Sequence, residues 1–331
     1  MINRKKRIAI FFGGMGNEAG VSVVSAKNIY ANIDRTKYVP LLIFWRKDGQ
    51  FSIIPSFDVV TSESLKTATL HEIKSKCDVA FLITHGKYGE DGVLQAMLEA
   101  VHIQYTGSKV LGSALCMDKA AFKDIIKNTG IPQVPYVYFD TKIHGNNEQK
   151  VLVNNFIKKY TFPYFVKPSN SGSSVGVTKV KSRSQLQSAI KEALKHDSIV
   201  IIEKGLQSPR EVEVGVLGND KLIISPAGEL VLVSDFYSFD DKYVKDEAQQ
   251  VVPTKLSSIV QKQIQLLAKQ LYQLGHCSGF ARIDFFVVGT KVYFNEINTL
   301  PGFTNISMYP MLMKAAGVDY KDLISEIIEL A

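Results

Sequence analysis

Apolar and polar positions alternate along this chain in two rhythms, and their order predicts where the elements lie. Residues 7–12 form a short apolar run closed by glycines, which reads as a strand, and residues 21–33 follow a helical pattern. Strand-like runs come next at 39–44 and 79–84, the second ending at His85 and Gly86, and a helix is expected over 93–101. This β-α-β order predicts a parallel sheet with helices on its faces. Ligands favour the carboxyl ends of such strands.

Residues 107–130 read as one helix, with Lys119, Phe122 and Ile125 at helical spacing and a stop at Gly130-Ile131-Pro132. An α+β unit follows: strands at 134–139, 164–168 and 198–203, helices at 149–160 and 184–195, and a Ser/Gly-rich loop after residue 168. The last third predicts strands at 211–217 and 222–224, a polar, aromatic loop at 234–252 and an amphipathic helix at 257–274. A hairpin of 281–288 and 291–295 turns at Gly289-Thr290, and a helix covers 320–330. No internal repeat is visible. The expected units are 1–106, 107–208 and 209–331.

Length and composition agree with a multi-domain globular protein: 331 residues, 46% apolar and 21% charged. The formal charge of +7 is spread among acids without a basic, aromatic-interleaved stripe, so nucleic acid is not the expected partner. Anionic small substrates account for the excess. Cys77, Cys116 and Cys277 form no CxxC pair, which argues against a zinc ribbon or disulfide framework and for buried thiols in a reducing compartment. The basic start runs into a strand rather than a cleavage site, and no stretch reaches the ~20 apolar residues of a membrane span. A cytoplasmic protein without membrane partners is expected.

Three clusters carry chemistry. In 281–303, strand alternation puts Arg282 and Asp284 on one face and Glu296 and Asn298 on a shared face of the partner strand. Such oxygen ligands suit Mg²⁺, the competing reading being a solvated hairpin face. The segment KPSNSGSSVG, 167–176, follows an apolar strand with small residues whose N–H groups can close over a phosphate beside Lys167; a plain flexible loop is the alternative. In HGKYGEDG, 85–92, His85 could act with Glu18 or be structural, and Asp91 could cap the following helix.

Taken together, these segments resemble the D-alanine–D-alanine ligase family of the ATP-grasp superfamily over nearly the whole chain and in order. The resemblance rests on Gly13-Gly14, Glu18 and Val21-Ser22, HGKYGEDG, SALCMDK ending at Lys119, and KPSNSGSSVG. REVEVGVLGN, FYSFDDKY ending at Tyr243, ARIDFF and NEINTLPGFTNISMYP complete it. It implies a three-domain ATP-grasp fold, α/β and α+β, with an N-terminal parallel-sheet domain. ATP would be held by Lys119, Lys167, Ser173, Ser174, Lys242, Asn295 and Glu296, with Glu203, Lys204, Leu206 and Glu211 around adenine and ribose. Asp284, Glu296 and Asn298 would hold two Mg²⁺ ions, or Mn²⁺. Glu18 would bind the ammonium of the first D-alanine with His85 nearby, and Ser307 and the Met308 N–H the carboxylate of the second. Arg282 and the Gly302 N–H would stabilise the tetrahedral oxyanion, while Ser173 and Tyr243 tie a mobile loop to Glu18. The implied reaction passes through D-alanyl phosphate and supplies peptidoglycan synthesis, in an expected homodimer.

Where many relatives carry a charged pair after the position of Glu18, this chain has Ala19 and Gly20, which predicts a looser first-substrate loop. Gly205 stands where a bulky residue often flanks adenine, and 204–211 carries an extra residue, which predicts weaker nucleotide affinity. Rival readings are a ligase of this fold with a D-serine or D-lactate acceptor, against which Tyr243 argues, and a catalytically weakened nucleotide-binding relative.

Overall fold

The computed structural model describes residues 4–61, 64–231 and 249–331. The expectations placed on Lys242, Tyr243 and most of 234–252 lie outside the described residues.

The first sheet is built as the apolar runs require. Strands β1 (Lys6–Gly13), β2 (Tyr38–Trp45), β3 (Phe51–Ile54), β4 (Val79–Leu82) and β5 (Gln104–Tyr105) lie in the order β3-β2-β1-β4-β5, parallel except for β3 on the edge. Ile8 to Phe12 are all fully buried because helices cover both faces. The helices of this part are α1 (Ala19–Asn32), α2 (Leu70–Lys76) and α3 (Val93–Ala100). A Thr69/Glu72 capping box starts α2, which the apolar pattern had not revealed.

The expected single helix at 107–130 is two, α4 (Val110–Met117) and α5 (Lys119–Ile126). Asp118 breaks it: its backbone is extended, and its side chain caps α5 by accepting the Ala121 N–H. Its Oδ1 also accepts the Ser169 hydroxyl at 2.6 Å, so the break ties α5 to the Ser/Gly-rich loop. Cys116, Phe122 and Ile126 pack into the core of the last sheet rather than the middle one.

The middle sheet holds β6 (Tyr136–Asp140), β7 (Tyr164–Pro168), β8 (Thr178–Val180) and β9 (Ile199–Lys204), antiparallel in the order β6-β9-β7-β8. Helices α6 (Asn146–Lys159) and α7 (Arg183–Ala193) close one side around Phe139, Phe156 and Val166. The last sheet contains β10 (Arg210–Leu217), β11 (Ile223–Ile224), β12 (Gly228–Val231), β13 (Gln249–Val251), β14 (Phe280–Val288) and β15 (Lys291–Asn298). The amphipathic helix α8 (Ser258–Leu274) lays Ile264, Leu267 and Leu271 on it.

Two helices follow, α9 (Met308–Ala315) and α10 (Tyr320–Glu329). The short α9, with Pro310 in its first turn, lies where the apolar pattern predicts no helix. Although last in sequence, α10 buries Leu323, Ile324, Ile327 and Ile328 in the core of the first sheet, and Tyr38 donates to Glu329 at 2.9 Å. No described helix is long and apolar enough to cross a membrane.

Candidate active site

The centre of the site is made by one extra residue. In the β14–β15 pair, Val287 lies opposite Val292 and Phe285 opposite Phe294, but Asp284 lies opposite Glu296 and Arg282 opposite Asn298. Asn295 is the unpaired residue of a β-bulge. Because side chains alternate, this one-residue shift puts Ile297 into the core and turns Glu296 and Asn298 to the face of Arg282 and Asp284. Opposite them on β10, Val212, Val214 and Val216 are buried while Glu213 joins the polar face.

On that face Arg282 donates to both Asp284 oxygens, Nε at 2.8 Å and a terminal nitrogen at 2.7 Å, and its Nε lies 2.9 Å from Glu213 Oε2. Burial opposes the Arg282 charge, but the carboxylates of Asp284 and Glu213 outweigh it and hold the guanidinium protonated. Asn298 Nδ2 donates to Asp284 at 3.0 Å. Lys119 Nζ lies 3.3 Å from Glu296 Oε2. Asp284 and Glu296 face each other as hard oxygen donors with Asn298 alongside, a set that fits Mg²⁺ held by one or two carboxylates together with substrate phosphates. Among the described residues no three His, Cys, Asp or Glu side chains form a closed metal cage, so a divalent ion here would take its remaining ligands from phosphate and water.

A second cluster lies in the sheet beneath. Glu203 is nearly fully buried between Lys123 Nζ at 2.8 Å and Lys167 Nζ at 2.9 Å. Burial pushes its carboxyl up, yet the two ammonium groups outweigh that and hold it down at about 2. Lys123, absent from the sequence-based set, was findable: it sits one helical turn after Lys119 in α5. Lys204 Nζ donates to the Phe162 carbonyl at 3.2 Å, and Leu206 is half-buried. Glu211 lies opposite Phe286. Gly205 leaves no gap: a Cβ there would come within 3.0 Å of the Pro163 carbonyl and 3.2 Å of the Phe165 ring, so β7 and its approach occupy that space.

The Ser/Gly-rich loop is pinned at its base. Asn170 donates through its N–H and its amide to Asp197 Oδ2 at 2.8 and 2.9 Å, and Lys119 Nζ donates to the Ser171 carbonyl at 2.7 Å. Ser173 and Ser174 then adopt left-handed backbone, φ 49° and 60°, and the Ser173 hydroxyl donates to Glu18 Oε1. Glu18, at the start of α1, lies in a cradle of glycines. A Cβ at Gly86 would meet its Oε2 at 2.1 Å, and one at Gly172 at 3.2 Å. Gly20 faces open space, and Ala19 and Gly20 line a 340 Å³ cleft with Met15, Lys47 and Val175.

His85 is buried, with Nδ1 3.0 Å from the Leu300 carbonyl and Nε2 3.4 Å from Ser25 Oγ. Burial pushes the imidazole below its usual value, against the pull of Glu18. Glu90, beyond the sequence-based set, accepts the Gly86 N–H at 3.0 Å, and burial together with the Glu18 charge pushes it up to about 7. Asp91 accepts the Val93 N–H at 3.2 Å and the Tyr88 N–H at 2.7 Å, but the N-cap of α3 is Gly92, so Asp91 braces the helix start from one residue before the cap rather than capping it. Ser307 precedes α9 and its Oγ accepts the Thr304 N–H at 2.9 Å; Met308 begins the helix with its N–H in the unpaired first turn. A Cβ on Gly302 would stand 2.8 Å from Ser307 Oγ, so a larger residue there would displace that hydroxyl.

The contacts join end to end: Glu296 to Lys119, Lys119 to Ser171, and Ser173 to Glu18. One continuous polar surface therefore runs from a carboxylate cluster suited to phosphate and metal to a single carboxylate suited to an ammonium group.

Known proteins are similar to this chain over nearly its full length. The sequence model of the D-ala D-ala ligase N-terminus matches residues 7–108 and that of the C-terminus residues 125–329. A D-alanine–D-alanine ligase from Caldicellulosiruptor bescii is 39% identical, covering 99% of this chain and 95% of its own. The VanG D-Ala:D-Ser ligase from Enterococcus faecalis superposes with a TM-score of 0.88 at 32% identity, over 99% of both chains. A Bacillus anthracis D-alanine–D-alanine ligase solved with ATP gives 0.78 at 29% identity, over 98% of this chain and 97% of its own. With the bulged hairpin, the pinned serine loop and the glycine cradle in place, and with relatives of this identity spanning it end to end, the chain belongs to the D-alanine–D-alanine ligase family of ATP-dependent ligases.

Proposed function

We propose that this protein joins two molecules of D-alanine into D-alanyl-D-alanine at the expense of ATP, supplying peptidoglycan synthesis in the cytoplasm. The observation that carries this reading is the continuous path from Glu296 through Lys119 and the serine loop to Glu18. Glu18 would take the ammonium of the first D-alanine, leaving its carboxylate towards Arg282. The γ-phosphoryl group passes to that carboxylate, giving an acyl phosphate and ADP. The amino group of the second D-alanine, its carboxylate held by Ser307 and the Met308 N–H, attacks the acyl carbon. The tetrahedral intermediate collapses to the peptide with loss of phosphate and a proton. Little covalent chemistry falls to the protein, so positioning and charge stabilisation dominate.

In this reading Lys119 and Lys167 face the phosphates, with Ser173, Ser174 and Asn295 nearby. Glu203, Lys204, Leu206 and Glu211 border the nucleotide, and Lys242 and Tyr243 belong to the loop segment. Mg²⁺ bound by Asp284, Glu296 and Asn298 would neutralise phosphate charge. Arg282 and the Gly302 N–H serve the oxyanion; loss of one such donor typically costs about 10²- to 10³-fold in turnover. Homodimerisation belongs to the proposal on family resemblance.

Phosphate release and dipeptide formation are to be measured with ATP, Mg²⁺ and D-alanine alone, then with D-serine or D-lactate added. D-alanine alone should support full turnover. Background rates with D-alanine alone, and turnover only with D-serine or D-lactate, would overturn the acceptor assignment.

A further inference from the structure

Four side chains from the first hundred residues converge on one short stretch of the last unit, residues 300–303. Glu90 Oε1 accepts the Leu300 N–H at 3.3 Å, and the Leu300 carbonyl lies 3.0 Å from His85 Nδ1. Ser25 Oγ accepts the Phe303 N–H at 3.2 Å and lies 3.4 Å from His85 Nε2. Asn28 Nδ2 donates to the Phe303 carbonyl at 3.2 Å, which Tyr320 also engages at 2.8 Å.

A carbonyl cannot donate, so His85 carries a proton on Nδ1; burial favours the neutral imidazole, in which Nε2 accepts the Ser25 hydroxyl. The relay runs from Phe303 N–H to Ser25, from Ser25 to His85, and from His85 to the Leu300 carbonyl. It is neutral throughout. Phe303 itself is fully buried, edge-on to Phe81, Phe280 and Tyr320.

Between these anchors lie Pro301, which has no N–H, and Gly302. Among the described residues, the Gly302 N–H is the one donor of the stretch without an assigned protein acceptor. A loop is mobile by default, whereas an oxyanion donor has to stand within about 2.7–3.1 Å of its target. Misplacement by about 1 Å can cost on the order of 10²-fold.

We infer that Ser25, Asn28 and Glu90, together with His85, are positioning residues that clamp residues 300–303 so that the Gly302 N–H is held on the oxyanion and in register with Glu18. The inference rests on the reading of Gly302 as an oxyanion donor. It gives both ring nitrogens of His85 to the clamp. It also explains the two buried serines of α1: Ser22 bonds Gly13 and Ile83 within its own unit, while Ser25 reaches across to the other.

Ser25→Ala and Asn28→Ala test the clamp, with kcat, KM for ATP and D-alanine, melting temperature, and affinity for a phosphinate analogue of the dipeptide that copies the tetrahedral centre. Ser25→Ala should lose about 10- to 10²-fold in kcat with KM for ATP within about twofold. Asn28→Ala should lose less, and phosphinate affinity should fall in parallel with kcat in both. Should Ser25→Ala fail to fold, Asn28→Ala, altered at a half-buried side chain, carries the test. Loss of activity only in proportion to unfolded protein, with phosphinate affinity kept, overturns the clamp. A wild-type enzyme that makes dipeptide but binds the phosphinate no tighter than D-alanine removes the Gly302 reading, and the inference with it. A wild type that makes no dipeptide removes the proposed function instead.

Discussion

Two lysine–carboxylate clusters lie within one site, and they differ in how far the carboxylate reaches water. Lys123, Glu203 and Lys167 form a closed triad whose side chains are 1%, 5% and 9% exposed. Lys119 and Glu296 are 10% and 24% exposed, and they adjoin the Arg282, Asp284 and Glu213 cluster on the open face of the hairpin. A buried ion pair that loses one member leaves a charge with neither water nor partner, whereas a partly solvated pair can exchange its partner cheaply. The closed triad therefore keeps Lys123 and Lys167 charged and fixed in place. The open cluster can give up protein contacts for phosphate or a metal ion, and that exchange is what a phosphoryl-transfer site requires.

The largest effect expected from this contrast is on turnover. Glu296→Gln should abolish phosphate release and should lower unfolding stability by less than the loss of Glu203 does, because the Glu296 carboxylate keeps 24% of its surface in water. Wild-type rates in that variant would remove Glu296 from the metal site.

Glu203→Gln should instead destabilise the fold by about 3–5 kcal/mol, measured by urea unfolding, since two buried ammonium groups lose their counter-charge. A change below 1 kcal/mol would mean that the two clusters do not differ as described.

The smallest effect is the acid response. Glu203 is held at about 2 against an ordinary glutamate value of 4.5. A carboxylate depressed on folding adds stability above its unfolded pKa and forfeits it as pH falls towards its folded pKa. About 3 kcal/mol should thus be lost between pH 4.5 and 2, at 1.36 kcal/mol per unit. Glu203→Gln should flatten that part of the stability profile, and an unchanged profile would assign acid unfolding to other carboxylates.

Much of this was legible along the chain. The apolar runs located β1, β2, β7 and the 281–288 strand to within a residue or two, since a strand that buries one or both faces leaves a run of apolar positions. The hairpin polar face could be read from alternation, and so could Glu213, which shares the rhythm of Val212, Val214 and Val216. Lys123 stands at helical spacing from Lys119, but its partner Glu203 lies in the middle sheet, so local sequence shows the lysine and not the pair it makes. Asp118 hid a break, because helical spacing continues through it on both sides, although its bond to the Ala121 N–H is a local capping contact. Cys116 and Cys277, distant in sequence, come within 3.7 Å of each other as free thiols.

The sequence by itself determined the elements that follow from local rhythm, the family, and the chemical kinds of groups at the site. Tertiary structure alone decided the rest: the bulge at Asn295 that turns Glu296 outward, the glycine cradle around Glu18, and the four-point hold on residues 300–303. The physical reason is range. Periodicity and capping arise between residues a few positions apart, whereas a hydrogen bond such as Phe303 N–H to Ser25 spans 278 positions and exists only after the units have packed.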